Sequence, residues 1–142
     1  MVEVKAAQIV VDAEQGHAMV LLKEERGTRL LPIVVGVWEG HAIATALQGV
    51  EFPRPLTYDL MKNILLELGA RVSKVAIVDL HEDTFYGMIE LQLGSGMVSI
   101  DSRPSDAIAL ALRMGAPIYA AEAVMETAGV AEETLPGENL VH

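Results

Sequence analysis

Two stretches of the chain repeat one another, and each joins an apolar strand to an apolar helix through a polar turn. Residues 33–49 read IVVGVWEGHAIATALQG and residues 98–114 read VSIDSRPSDAIALALRM. At a shift of 65, Ala42, Ile43 and Ala44 fall on Ala107, Ile108 and Ala109, and Ala46 and Leu47 fall on Ala111 and Leu112. A weaker echo at a shift of 67 sets residues 9–12 (IVVD) against residues 76–79 (AIVD). Such an internal duplication predicts pseudo-symmetry. It places two helix starts, each with its own polar cluster, toward one cleft or toward two faces of an oligomer.

The rest of the pattern supplies the elements. Residues 2–12 and 17–25 read as strands around a turn at Glu14, Gln15 and Gly16, and residues 30–35 as a third. A helix is predicted over 37–48, closed by Gly49. Residues 50–56 hold two prolines and form an irregular connection. Thr57 is placed as N-cap of the next helix, with Leu60, Met61, Ile64, Leu65 and Leu68 on one face. Residues 72–80 are apolar on both faces, apart from Ser73 and Lys74 near the start, and read as a central strand. Strands over 84–93 and 97–101 follow, joined by Gly94, Ser95 and Gly96. The helix through Met114 starts at or near Pro104 and is apolar on nearly every face, so it is expected to be buried. A strand over 117–120 and a helix over 121–128 end the pattern. Runs of strands followed by helices favour an α+β fold of two layers, a twisted and mostly antiparallel sheet with helices packed on it. The domain is expected over residues 1–129, and the acidic segment 130–142 as a loosely ordered tail.

Composition narrows the function classes. A chain of 142 residues fits one domain, and 51% apolar residues are enough for a core. Cysteine is absent, which removes disulfides and thiolate metal sites and fits a reducing cytoplasm. No signal peptide or membrane span is legible. A net charge of −10 argues against a broad nucleic-acid face, so any such binding is expected to be weak and to rest on a metal or a few arginines.

Three clusters carry chemistry, and each has a bland alternative. In residues 101–106 (DSRPSD), Arg103 has the fork that holds a phosphate, and Asp101 and Asp106 suit a hard cation. The same residues also read as a capped helix start, with Ser102 or Ser105 as cap and Arg103 paired to Asp101. In residues 54–59 (RPLTYD), Arg54 lies in a loop and Asp59 in a first helical turn. In residues 38–41 (WEGH), Glu39 suits acid–base work or simple dipole stabilisation. His41 lies two residues on and is not expected to share its face, and Trp38, the single tryptophan, is expected to pack.

These clusters carry a resemblance. The run VGVWEGHAIATALQGVEFPRPLTYDLMKNILLELGA, then TFYGMIEL and IDSRPSDAIALALRMGAPIY, resembles the bifunctional nuclease domain over about residues 31–129. The linked motifs RPLT-x-D-L and D-x-RPSDAIALA make it specific. The resemblance implies a compact α+β domain of bacteria, archaea and plants, some of whose members degrade both DNA and RNA. By position it marks Glu39, Arg54, Thr57, Asp59, Asp101, Arg103, Ser105 and Asp106. Tyr58 stands where the family commonly has histidine.

The expectation is a nuclease that hydrolyses phosphodiesters. Asp59, Asp101 and Asp106 would hold Mg²⁺ or Mn²⁺, and Glu39 would activate water. Arg54 and Arg103, with Thr57 and Ser105, would bind phosphate. The competing expectation is a non-catalytic module, either a homo-oligomeric scaffold or a small-anion sensor. The nuclease reading requires Asp59 and Asp101 to converge on one cleft.

Overall fold

The computed structural model describes residues 1–132. The first three strands, β1 (Val2–Asp12), β2 (His17–Glu24) and β3 (Arg29–Gly36), form an antiparallel meander that runs into α1 (Val37–Leu47). After α2 (Thr57–Glu67), a second meander of β4 (Ala70–His81), β5 (Thr84–Leu93) and β6 (Gly96–Ser102) runs into α3 (Pro104–Met114). The element order β-β-β-α thus occurs twice. The chain continues through β7 (Ile118–Ala120), α4 (Glu122–Ala128) and β8 (Val130–Ala131).

All eight strands join one sheet in the order β6-β5-β4-β7-β1-β2-β3-β8. Among the described residues only the β4–β7 pairing is parallel. This is the expected α+β architecture. Strand β7 sits between the two meanders, so three residues weld the halves into a continuous ladder. In a flat sheet β4 and β3, four strand spacings apart, would be separated by about 19 Å. Helix α4, about 10 Å long, contacts both, so the sheet is strongly curled. Arg29 of β3 fixes this arrangement by forking onto Glu24 and reaching Glu122 of α4. Beyond residue 129, Val130 and Ala131 pair with Leu30 and Arg29 as β8. Residues 133–142 of the expected tail lie outside the described residues.

The core is built from the inward faces of the meanders and from α3. Residues 107–111 (AIALA) are at most 1% exposed, as the helix's apolar sequence predicts. Two close approaches seat the helix starts. A Cβ on Gly40 would lie 2.6 Å from that of Ala18, so glycine lets α1 sit directly on β2. A Cβ on Gly87 of β5 would lie 3.0 Å from the Ser102 carbonyl and 3.2 Å from the Pro104 Cα. That closeness holds the polar turn 102–104 against the sheet.

Helix α2 departs from expectation. Its pattern predicts a buried stripe, yet Leu60, Ile64, Leu66 and Leu68 are exposed and only Tyr58 is buried. The helix rests on α3 and β4 and leaves much of its apolar surface uncovered. Edge strand β6 behaves likewise, with Met97, Val98 and Ile100 exposed on both of its faces. Met97 is therefore not the core filler its type suggests.

Candidate functional site: a cleft between helix starts

The first turns of α1, α2 and α3 and the end of β6 surround an open cleft of about 880 Å³. Glu39 and His41 come from α1, and Thr57 and Tyr58 from α2. Asp101, Ser102, Arg103 and Asp106 come from β6 and the start of α3. His41 and Glu39 share this cleft even though they do not share a helix face, because the opening turn of α1 forms its rim. Trp38 also lines the cleft and is 80% exposed, so it does not pack as its residue type suggests.

A polar chain links the three helices here. The Tyr58 hydroxyl donates to Asp106 Oδ1 at 2.6 Å. Arg103 donates from Nε to Asp106 Oδ2 at 2.9 Å and from Nη2 to Oδ1 at 3.0 Å. Arg103 Nη2 also lies 3.5 Å from Glu39 Oε2, across 64 residues of sequence. Arg103 Nη1 has no partner among the described residues. Neither Ser102 nor Ser105 caps α3. Instead Ser102 Oγ is buried at the cleft without a hydrogen-bond partner among the described residues. Arg103 pairs with Asp106, three residues on, rather than with Asp101.

The electrostatics follow from these contacts. Burial pushes the Asp106 carboxyl up, but hydrogen bonds from Arg103 and Tyr58 outweigh it and hold the group below the ordinary carboxylate range. Burial, then the hydrogen bond to Asp106, pushes the Tyr58 hydroxyl well above its usual value. Tyr58 is therefore a hydrogen-bond donor near neutral pH, and Asp106 is ionised. The Asp106 hydrogen bond raises the Arg103 guanidinium further.

A stability prediction follows. With the folded value lowered, the stabilisation from Asp106 is fully present above its unfolded value, near pH 4. It is lost as pH falls through the lower folded value. In urea titrations the stability gap between the natural protein and Asp106→Asn is expected to be constant from pH 7 to about pH 5. The gap then narrows toward pH 3. A gap that is the same at pH 3 and pH 7 would contradict the lowered carboxyl.

The structure divides the residues that the sequence singles out. Glu39, Thr57, Asp101, Arg103 and Asp106 line the main cleft. Asp59 faces a neighbouring cleft with Glu51, Phe52 and Arg113. Its Oδ2 accepts the Leu56 backbone N–H at 3.0 Å and its Oδ1 accepts Arg113 Nε at 3.1 Å. Leu56, not Thr57, occupies the N-cap position of α2. Ser105 is buried and lines a third hollow with Gly36 and Asp83. Arg54 is exposed and lines none of the three.

A divalent cation needs several free oxygen ligands. Both oxygens of Asp59 and of Asp106 already accept hydrogen bonds. Among the described residues no three His, Asp or Glu side chains are grouped to hold a metal ion. The shared Mg²⁺ or Mn²⁺ site over Asp59, Asp101 and Asp106 thus does not fit this arrangement, because α2 turns Asp59 toward Arg113.

Sequence reasoning missed Arg113, which is the hub of the three helices. Its Nε reaches Asp59, its Nη1 the Ala109 carbonyl at 3.0 Å and its Nη2 the Ala42 carbonyl at 3.1 Å. The guanidinium also lies 5.5 Å from the centre of the Tyr58 ring. A lone basic residue in an otherwise apolar, buried helix was the available signal, since a buried cation needs partners.

Fold and site together define an α+β domain in which the starts of three helices surround one polar cleft. The sequence comparisons agree with a specific family. The bifunctional nuclease domain matches residues 20–133, and the chain belongs to the bifunctional nuclease domain family. An uncharacterized protein of Mycobacterium tuberculosis is 45% identical over 130 residues, covering 92% of this chain and 77% of that protein. Bifunctional nuclease 1 of Oryza sativa subsp. indica is 34% identical over 75% of this chain, and Bifunctional nuclease 2 of Arabidopsis thaliana is 36% identical over 72%. The shared region takes in 33% and 32% of those plant proteins.

Proposed function

We propose that the protein hydrolyses phosphodiester bonds of DNA or RNA in the cleft between the helix starts, acting in the cytoplasm. The observation that carries this reading is the meeting of Glu39 and Arg103, 64 residues apart in sequence, in one open cleft. Arg103 is held by Asp106, which Tyr58 anchors in turn, so its free Nη1 offers N–H donors to a phosphate oxygen. The Thr57 hydroxyl, exposed at the same cleft, supplies another donor. Glu39 accepts a proton from water as the water oxygen forms a new bond to phosphorus. The opposite P–O bond breaks, and His41 on the same rim gives a proton to the leaving oxygen. Among the described residues the carboxylates do not group around an ion, so Glu39 itself activates the water. Purified protein is tested on single-stranded and duplex DNA and RNA, with chelator and with added Mg²⁺ or Mn²⁺. Cleavage in every arm at background level would refute the nuclease reading.

A second property of the same reading is self-association. Edge strand β6 (GMVSIDS) carries no lysine or proline to block pairing, and exposed Ile64 of α2 and Leu68 just past its end add to its apolar surface. An apolar hollow of about 220 Å³ between Met61, Ile64, Leu65 and Ile100 connects the two. A two-fold pairing of β6 with its counterpart covers it with a self-complementary patch. Sedimentation of the natural protein at micromolar concentration is expected to give a dimer, and Ile100→Lys a monomer. A natural protein that sediments as a monomer would overturn this.

A further inference from the structure

We propose that Trp38 is a stacking platform for an unpaired nucleobase, so that the cleft takes single-stranded nucleic acid in preference to duplex. This rests on the nuclease reading for the phosphate, and extends it to the base. Trp38 is 80% exposed, more than Met1 or any other exposed large apolar residue of the described chain. It is also the single tryptophan. An indole left in water forfeits the burial that its large apolar area would give. The first turn of α1 fixes it there, because the buried side of that helix is made by Gly40, Ile43 and Thr45.

What surrounds Trp38 selects the ligand. It lines the same cleft as Arg103, whose Nη1 is unpartnered among the described residues, and as the exposed Thr57. A cation and a hydroxyl, from Arg103 and Thr57, beside an open aromatic face suit a nucleotide unit, with phosphate at one end and a flat ring at the other. Every base has a π-face, so stacking tolerates any sequence and either sugar. In a duplex those faces are covered by neighbouring bases, and exposing one costs a few kcal/mol. The net charge of −10 disfavours a long tract of backbone on the surface, so the site engages few phosphates. With one phosphate held, the salt slope on a single strand is about −0.7.

The single tryptophan makes the test direct. The intact protein is titrated at low salt with a phosphorothioate hexamer of deoxyadenylate, the same strand with abasic sites, and a blunt duplex, while Trp38 fluorescence is recorded. The hexamer is expected to quench the emission saturably, with the abasic strand and the duplex at least about tenfold weaker. By anisotropy of a labelled hexamer, Trp38→Ala is expected to lose about tenfold in affinity and Trp38→Tyr to keep most of it. Equal quenching by the hexamer and the abasic strand, or none by either, would overturn the stacking. Quenching without cleavage of an ordinary strand would uphold the stacking and refute the nuclease reading. Cleavage with an unchanged KM in Trp38→Ala would do the reverse. A blue-shifted emission that ignores nucleic acid and reddens on dilution would mean that a second copy covers the indole, and the proposal would fall.

Discussion

Arg113→Ala is expected to lower the unfolding free energy by about 3 kcal/mol, the loss typical of breaking one side of a largely buried ion pair. The side chain is 9% exposed and serves acceptors from three helices. Its removal takes away the extra side-chain donor to the Ala42 and Ala109 carbonyls and leaves Asp59 without its cation. Asp59 is about a third exposed, so water recovers part of the loss. That keeps the effect at the low end of what a fully buried pair would give. For a chain of this size the midpoint of thermal unfolding should fall by on the order of 10 °C. Arg113→Lys should not restore it, since one ammonium cannot reproduce a planar fork aimed at three acceptors. Thermal and urea unfolding of the three proteins decide the matter. A loss below about 0.5 kcal/mol, the range of ordinary surface substitutions, would show that Arg113 does not tie the helices.

Glu39→Gln is expected to reduce kcat by about 10²- to 10⁴-fold, the usual contribution of a general base. An amide cannot take the proton from the attacking water. Glutamine keeps the size of the side chain and an oxygen for the 3.5 Å contact with Arg103, so unfolding should be unchanged. KM should change little, because phosphate binding is assigned to Arg103. Initial rates on a fluorogenic oligonucleotide, measured beside unfolding curves, provide the check. Full activity in a cleanly folded Glu39→Gln protein would remove Glu39 from the mechanism and leave the cleft as a binding site.

The candidate site was legible only in part, and the misses have specific causes. Helix α2 was visible from the spacing of Leu60, Met61, Ile64, Leu65 and Leu68, but that spacing does not say whether the apolar face meets the core. In the fold the core beside it is already filled by α3, which is apolar on nearly all sides. Only Tyr58 of α2 is buried, with Met61 and Leu65 partly covered. The orientation of α2 also decides the chemistry of Asp59. The residue faces Arg113, not Asp101, so the two acids expected to converge line different clefts. Tyr58, noted as the departure from the family's histidine, instead anchors Asp106 and through it Arg103.

Local chemistry determined the strands, the helices, the turns and the family, because periodicity, prolines, glycines and two short motifs act over a few residues. The α+β class followed from the order of those elements. Which polar side chains meet is a long-range matter. It depends on β7 joining the two meanders, on Gly40 and Gly87 allowing close approach, and on Arg113 orienting α2. Contacts such as Glu39 with Arg103 span 64 residues, and no local pattern encodes the direction in which a helix turns its first residues.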